Sequence, residues 1–298
     1  LGVFSSVTKT PRGQNYERNS ADSDNITLLA IGQLQPIRTW FSLLNRSLWH
    51  AEKLNRAQIT APHLRIIRSR RDLEEALAAR AQGQPRTLAL LSIEGMHNLE
   101  GKAENLDVLL RAGYRMGGLV HFFDNELGGS VHGEAKGGLT PFGRQIMRAM
   151  EDRGMVVDLA HASPALIADV VRAARRPVLY SHGGVKGTCN RTRNLSDAEV
   201  LAIARTGGVI GIGLWPEAVC GDKVEHTARA MRHVRDIAGI QAVALGSDFD
   251  GAVPTPIDAT SLAALTEALL AEGFSEAEVR AAMGGNVLRV LGTTLPPA

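Results

Sequence analysis

Five apolar, strand-like runs of this chain each end on a side chain that can bind a metal ion or transfer a proton. The five end residues are Glu94, His121, His161, His182 and Asp248. Imidazole and carboxylate groups together suit zinc, and either group can also act as a general acid or base. Because α/β barrels place their chemistry at the C-terminal ends of buried parallel strands, we expect the five side chains to converge on one site.

Each of these residues also has a purely structural interpretation. Glu94 could be an exposed loop carboxylate, and a single histidine is more often structural than metal-bound. His121 could stabilise a developing oxyanion, or it could simply lie at the edge of the core. His161 and His182 end successive strands and would lie side by side in a barrel, so together with Glu94 they favour a metal site.

The segments beyond the runs contain further polar candidates. Asp250 follows Asp248 by two residues, and the pair could contribute to the site or form a turn through side chain–backbone hydrogen bonds. The planar guanidinium group of Arg193 suits a substrate carboxylate. Arg191 is equally suited on chemical grounds, so the residue types leave the choice between the two arginines open.

Other kinds of site are not supported. Residues 207–213 are rich in glycine, but their spacing is wrong for a dinucleotide-binding loop and their apolar residues predict a strand. Neither a Walker-type Gly-Lys-Ser/Thr motif nor a Gly-x-Ser-x-Gly nucleophile elbow occurs. Four other histidines fall in predicted loops or helices, where we expect surface positions: His97, His132, His226 and His233.

The composition is ordinary for a soluble globular enzyme, with 44% hydrophobic residues and a net charge of +2 over 298 residues. We therefore expect no nucleic-acid partner, and we interpret the locally basic residues 65–71 as a solvated face. No apolar run approaches the ~20 residues needed to span a bilayer, and no signal peptide is evident, which favours a cytoplasmic location. Two cysteines, Cys189 and Cys220, are too few for a disulfide framework.

The elements that must position these residues alternate between strands and helices in a single predicted domain, residues 1–298. A short strand at 64–67 is too weak to count. An open doubly wound sheet concentrates functional residues at one switch point, whereas here they follow nearly every strand, so we favour a (β/α)8 TIM barrel lacking one strand. The seven predicted strands are 3–7, 87–93, 118–122, 155–159, 177–180, 209–214 and 242–246.

Helix boundaries carry clear capping signals. Thr140 provides a capping hydroxyl before a proline at the first helical position. Ser196 and Ser275 each begin a capping box, with a glutamate three residues later. Apolar residues spaced three and four apart predict a helical face over residues 37–51.

Taken in order, the motifs resemble those of the renal (membrane) dipeptidase family, zinc peptidases of the amidohydrolase superfamily. The resemblance extends from about Val3 to Leu291. It implies a (β/α)8 barrel and hydrolysis of dipeptides at two zinc ions bridged by a glutamate and a hydroxide. Members are often dimers, so a homodimer is one expectation. The motifs that carry the resemblance are segments 93–95, 121–125, 138–143, 154–161, 181–182, 193–194, 246–251 and 285–286.

The resemblance also implies a ligand set and one departure from it. Glu94 corresponds to the bridging ligand, and His161 and His182 correspond to the remaining protein ligands of one zinc ion. The family places a His-x-Asp pair for the other zinc on its first strand, but no such pair precedes Glu94 in this sequence. We expect that the first strand lies upstream of Leu1 in a longer protein; the alternative is a protein without a full binuclear site.

Three further roles follow from the same resemblance. Asp248 corresponds to the acid/base at the metal centre, His121 to the group that polarises the scissile carbonyl oxygen, and Arg193 to the partner of the substrate's terminal carboxylate. Two alternatives stay open: another amidohydrolase-type reaction, such as hydrolysis of a lactone or an N-acyl amino acid, and a non-catalytic homologue.

Overall fold

The computed structural model describes all 298 residues and divides them into two compact units. The first unit comprises Leu1–Leu166 with Leu291–Ala298, and the second comprises Ile167–Val290. Parallel strands with helices between them form both units, as the sequence predicts for the α/β class. No helix has both the length and the apolar character needed to cross a membrane.

The first unit is built around a parallel sheet whose central strand is β3. This strand pairs with β4 on one edge, and β4 pairs with β5. On its other edge, β2 lies beside the first three residues of β3 and β1 lies beside the last six. The strands are β1 (Gly2–Val7), β2 (Leu64–Ile66), β3 (Thr87–Glu94), β4 (Tyr114–Gly118) and β5 (Val156–Asp158).

Helices flank this sheet, and one predicted helix is observed as two. Ser42 has an extended backbone, and its side chain accepts a hydrogen bond from the backbone N–H of Asn45, so it ends α2 and caps α3. Ile37 and Phe41, which the periodicity assigns to a buried face, are 70% and 84% exposed. The helices are α1 (Asn25–Gly32), α2 (Arg38–Phe41), α3 (Leu43–Thr60), α4 (Arg70–Ala81), α5 (Asn105–Ala112) and α6 (Pro141–Asp152).

The second unit contains three parallel strands, in which β7 pairs with both β6 and β8. The strands are β6 (Leu179–Gly183), β7 (Val209–Ile212) and β8 (Val243–Leu245). The remaining helices of the chain are α7 (Pro164–Ala173), α8 (Asp197–Arg205), α9 (Pro216–Val219), α10 (Val224–Ala238), α11 (Leu262–Ala271), α12 (Glu276–Arg280) and α13 (Asn286–Thr294). Of these, α7 and α13 each include residues of both units.

Strand boundaries correct two sequence-based predictions. The weak run at 64–67 does form a strand over Leu64–Ile66, because the first two residues of β3, Thr87 and Leu88, are not paired with β1. The fourth strand ends at Gly118 instead of continuing to residue 122, so His121 lies in the loop that follows. By contrast, the capping boxes that begin at Ser196 and Ser275 both form as predicted.

Candidate metal centre and substrate-binding residues

Three of the candidate residues lie together in the first unit. The Nε2 atom of His161 is 2.9 Å from Oε1 of Glu94, and the Nε2 atom of His121 is 3.6 Å from the same oxygen. One possible ligand atom from each residue lies within 4.8 Å of the other two. The imidazoles are buried and the carboxylate is largely so. Two imidazole nitrogens and a carboxylate at this spacing can hold a zinc ion.

Gly95 allows this close approach. It has φ +88°, a left-handed conformation that favours glycine. A Cβ atom at this position would lie 2.5 Å from Cε1 of His97 and 3.0 Å from Cβ of His121. The turn after Glu94 therefore needs a residue without a side chain.

His161 is held in an unusual backbone conformation. Its φ is +64°, which is rare for a residue other than glycine and costs on the order of 1–3 kcal/mol. Its carbonyl oxygen accepts a hydrogen bond from the backbone N–H of Val131, at 2.8 Å. In the preceding turn, the backbone N–H of Ala160 donates to Asp158 Oδ1 at 3.0 Å. These contacts hold the backbone of His161 and the preceding turn in place despite the strain.

The loop after β4 is organised by Asp124. Its two carboxylate oxygens accept hydrogen bonds from the backbone N–H groups of Ser130 and Ala135, at 2.8 and 2.7 Å. The Ser130 hydroxyl in turn donates to the carbonyl oxygen of His121. This network ties the backbone of His121 to the other end of its loop.

Two histidines that the sequence assigns to the surface are buried instead. His97 is 4% exposed, and its Nε2 atom lies 3.2 Å from the Thr8 hydroxyl. Burial, followed by the nearby imidazole of His121, lowers the pKa of His97 to about 3. His132 is 0% exposed. Neither position carries a periodic signal, because both side chains are covered by residues distant in sequence.

His132 forms part of an aromatic wall with Tyr16 and Phe122, beside the imidazole of His161. The Phe122 and His132 rings stack with their centroids 4.5 Å apart, and both centroids lie within 5.3 Å of the His161 ring. The Nδ1 atom of His132 is 2.8 Å from the carbonyl oxygen of Tyr16. Since a carbonyl only accepts, Nδ1 carries the proton in this contact.

His182 and Arg193 lie near each other in the second unit, and both approach the ring of Trp215. The guanidinium group of Arg193 is 5.0 Å from the centre of the Trp215 ring, and the His182 ring is 6.0 Å from it. Arg193 Nη2 also donates to the carbonyl oxygen of His182 at 3.4 Å. Arg193 is 9% exposed, whereas Arg191 is an exposed residue.

A disulfide between Cys189 and Cys220 joins the start of the Arg193 loop to the end of α9. Next to it, the amide nitrogen of Asn194 donates to the carbonyl oxygens of Cys189 and Ala218, at 2.8 and 2.9 Å. These links restrain the loop that carries Arg193.

Asp248 lies three residues beyond β8 and has φ +57°, a second left-handed residue among the candidates. Gly246 packs closely on β6: an added Cβ there would lie 2.8 Å from the Cα atom of His182. Asp250 stabilises a turn, which is one of the two roles that the sequence leaves open. Its Oδ1 accepts a hydrogen bond from the backbone N–H of Ala252 at 2.8 Å. Its side chain is therefore used in the turn.

Comparison with known proteins identifies relatives of this chain. Residues 16–295 match the model of the membrane dipeptidase family, peptidase family M19. The chain is 36% identical over 217 residues to the dipeptidase aclJ of Aspergillus oryzae, covering 70% of this chain and 51% of that protein. It is 32% identical over 213 residues to the dipeptidase tcpJ of Claviceps purpurea, covering 68% and 50%. The chain thus spans about half the length of these curated relatives.

Two solved structures share the fold closely. An amidohydrolase from Pseudomonas aeruginosa superposes with a TM-score of 0.75 at 26% identity, covering 85% of this chain and 84% of the other. A metallo peptidase from Rhodobacter sphaeroides, liganded with a phosphinate mimic of L-Ala-D-Ala, gives a TM-score of 0.75 at 25% identity, covering 85% and 75%. The match over residues 16–295 makes this chain a member of the membrane dipeptidase family.

Proposed function

We propose that this protein is a zinc-dependent dipeptidase that hydrolyses the peptide bond of dipeptides. The observation that carries the proposal is the cluster of Glu94, His121 and His161, whose ligand atoms lie within 4.8 Å of one another. It occurs in a member of a dipeptidase family, and the similar Rhodobacter sphaeroides structure holds a mimic of a dipeptide. Both facts support a short peptide as substrate.

The donor atoms present fit zinc, which binds imidazole nitrogen and carboxylate oxygen. We assign Glu94, His161 and His182 as ligands of one zinc position, with Glu94 as the carboxylate that bridges to a second ion. The assignment of His182 rests on the order of the motifs along the chain. No His-x-Asp pair precedes Glu94 in the sequence, so these residues account for one of the two positions of the family.

Zinc bound at this position would supply Lewis acidity to the peptide carbonyl and to the attacking water. His121 donates a hydrogen bond to the carbonyl oxygen as negative charge develops there, and its burial strengthens that interaction. Asp248 accepts the proton of the attacking water and passes it to the leaving amine. Arg193 binds the terminal carboxylate of the substrate, which restricts the enzyme to short peptides with a free C-terminus.

We also assign the parallel strands and their helices to a (β/α)8 barrel that lacks the family's first strand, with residues 1–298 as one domain. Two features support the assignment. Every strand from β3 onward is followed by helical structure, and five candidate residues lie within three residues of the C-terminal end of a strand: Glu94, His121, His161, His182 and Asp248. That is the face on which such barrels carry their active sites.

A second candidate function is another amidohydrolase-type hydrolysis, because one similar structure is that of an amidohydrolase. Lactones and N-acyl amino acids are then the substrates to consider. A third candidate is a non-catalytic homologue. The donor set at Glu94 does not distinguish the two enzymes, but Arg193 favours substrates that carry a carboxylate.

A substrate panel with parallel metal analysis tests the proposal. Purified protein is loaded with zinc, its zinc content per chain is measured, and dipeptides are compared with lactones and N-acyl amino acids. We expect bound zinc, preferential dipeptide hydrolysis, and loss of activity on chelation with recovery on adding zinc. Preferential turnover of a lactone or N-acyl amino acid would favour the second candidate, and absence of both zinc and turnover would favour the third.

A further inference from the structure

A basic cavity of about 510 Å³ lies in the first unit, away from the candidate metal centre. Its volume is within the range of about 300–1,000 Å³ that is typical of sites for small molecules. Four arginines and a single aspartate line it, which gives a formal charge of +3. The polar and charged residues of its wall are Asn55, Arg68, Asp107, Arg111, Arg115 and Arg153.

Most of this positive charge is not neutralised within the protein. Arg153 forms the only ion pair of the wall, with Asp107 at 2.6 Å. Arg115 donates to the backbone carbonyl oxygens of Arg68, Leu110 and Tyr114, at 2.5, 2.8 and 2.7 Å. These carbonyls position the guanidinium group but carry no full negative charge. Arg111 is exposed near the end of α5 and has no carboxylate partner.

Arg68 is held with unused hydrogen-bonding capacity. Its Nη2 atom donates to Oδ1 of Asn55, and its Nε atom is buried without a hydrogen-bond partner. Gly113 makes room for it, since a Cβ atom there would lie 3.0 Å from the Arg68 Nε atom. Burial, and next the charge of Arg68, lower the pKa of Arg115 from its ordinary value, and the charge of Asp72 only partly opposes them.

From this arrangement we infer that the cavity is a binding site for a small molecule bearing a phosphate group. Guanidinium groups bind phosphate oxygens in pairs, and a phosphate monoester carries nearly two negative charges at neutral pH. Such a dianion would neutralise most of the uncompensated charge, whereas a monocarboxylate would neutralise one unit. The site is an open depression of the surface with room for a small soluble phosphate ester.

This cavity is distinct from the candidate metal centre. Arg115 is the second residue of β4, whereas Glu94 pairs with Gly118 at the other end of that strand, about 10 Å further along. His121 lies a further three residues beyond Gly118. Anion binding at the cavity is therefore an activity separate from peptide hydrolysis, and it does not depend on the proposed function.

Calorimetric titration of the whole protein with phenyl phosphate and inorganic phosphate, at constant ionic strength, tests the inference. We expect saturable binding that is weakened about tenfold or more in Arg111→Ala and further in Arg111→Glu. Arg111 is exposed on a helix and alanine is the best helix former, so these variants should fold; thermal melting without ligand checks this. Arg280→Ala, which removes an arginine whose side chain is 80% exposed, should bind like the wild type.

Because zinc can also bind phosphate, the same titration is done with Glu94→Gln. Retained binding in Glu94→Gln together with weakened binding in Arg111→Ala places the site in the cavity. Three results would overturn the inference: no binding, binding that Glu94→Gln abolishes and Arg111→Glu leaves unchanged, or equal binding of acetate. Binding to phosphatidic acid vesicles without binding of either soluble phosphate would also overturn it.

Discussion

The Nε2 atom of His161 lies 2.9 Å from the Oε1 atom of Glu94, although 67 residues separate them in the sequence. The imidazole reaches this position from a backbone with φ +64°. A strained residue that directs its side chain at a buried carboxylate is common at functional sites, where surrounding structure holds the strain in place. The strained pair thus supports the proposed metal site.

Replacing the central carboxylate should remove the metal. Glu94→Ala is expected to lose both bound zinc and dipeptide hydrolysis, since the two neighbouring imidazoles no longer share an anionic ligand. Zinc per chain, measured by plasma mass spectrometry, and turnover are compared with Glu276→Ala, whose glutamate side chain is 82% exposed. A Glu94→Ala protein that kept both zinc and activity would show that this carboxylate is not a ligand.

His121 is predicted to act on the substrate instead of holding the metal. Removing a single donor to an oxyanion lowers kcat by about 10²–10³, so His121→Ala should show this loss while keeping its zinc content. His161→Ala is the matched comparison, because it should lose zinc. The distance of 3.6 Å between His121 and Glu94 also permits a ligand role; loss of zinc in His121→Ala would establish that role instead.

Asp248 should be needed for proton transfer but not for folding. Asparagine tolerates the left-handed backbone of this position, so Asp248→Asn should keep its melting temperature and its zinc. Turnover is expected to fall by about 10²–10⁴ because the amide cannot accept a proton. The control is Asp250→Asn, two residues away in the same turn, which should keep near-normal turnover. Equal losses in the two variants would contradict the assignment.

Variants of two neighbouring arginines test whether Arg193 itself binds the substrate or whether any positive charge in this loop is enough. Arg193 is buried against Trp215, whereas Arg191 is exposed. Arg193→Ala should raise KM for dipeptides by about tenfold or more, because a charge-assisted hydrogen bond to the carboxylate is lost. Arg191→Ala should leave KM within about twofold. The assignment is wrong if the rise in KM follows Arg191, or if dipeptides amidated at the C-terminus are cleaved as well as free ones by the wild type.

Local signals explain which parts of this structure the sequence predicts. The capping box at Ser196 involves residues three apart, so its pattern is complete within one turn. Likewise, Glu94 ends a continuous apolar run that becomes the buried strand β3. The break at Ser42 is harder to foresee, since the helical period of the apolar residues continues across it. Packing alone decides that Ile37 is left exposed.

The burial of His132 shows why part of the candidate site could not be predicted. Its ring is enclosed by Tyr16 and Phe122, and its Nδ1 atom lies 2.8 Å from a carbonyl oxygen 116 residues earlier in the chain. No local pattern encodes such a contact. A loop histidine without neighbouring hydrophobic periodicity is therefore predicted to lie at the surface until the fold is known.

His50 should make stability depend on pH in the acidic range. Burial, and next the charges of Lys53 and Arg46, lower its pKa from 6.5 to about 4. Between pH 6.5 and 4 the unfolded chain therefore binds a proton that the folded protein does not. The stability that neutral His50 contributes is complete above pH 6.5 and is lost as the pH falls toward 4.

In His50→Gln this contribution is absent, and the melting temperature should fall less between pH 7 and pH 4.5 than in the wild type. His63→Gln, which changes an exposed histidine, serves as the control. If His50→Gln and the wild type lose the same melting temperature over this range, burial and the neighbouring positive charges do not hold the imidazole neutral.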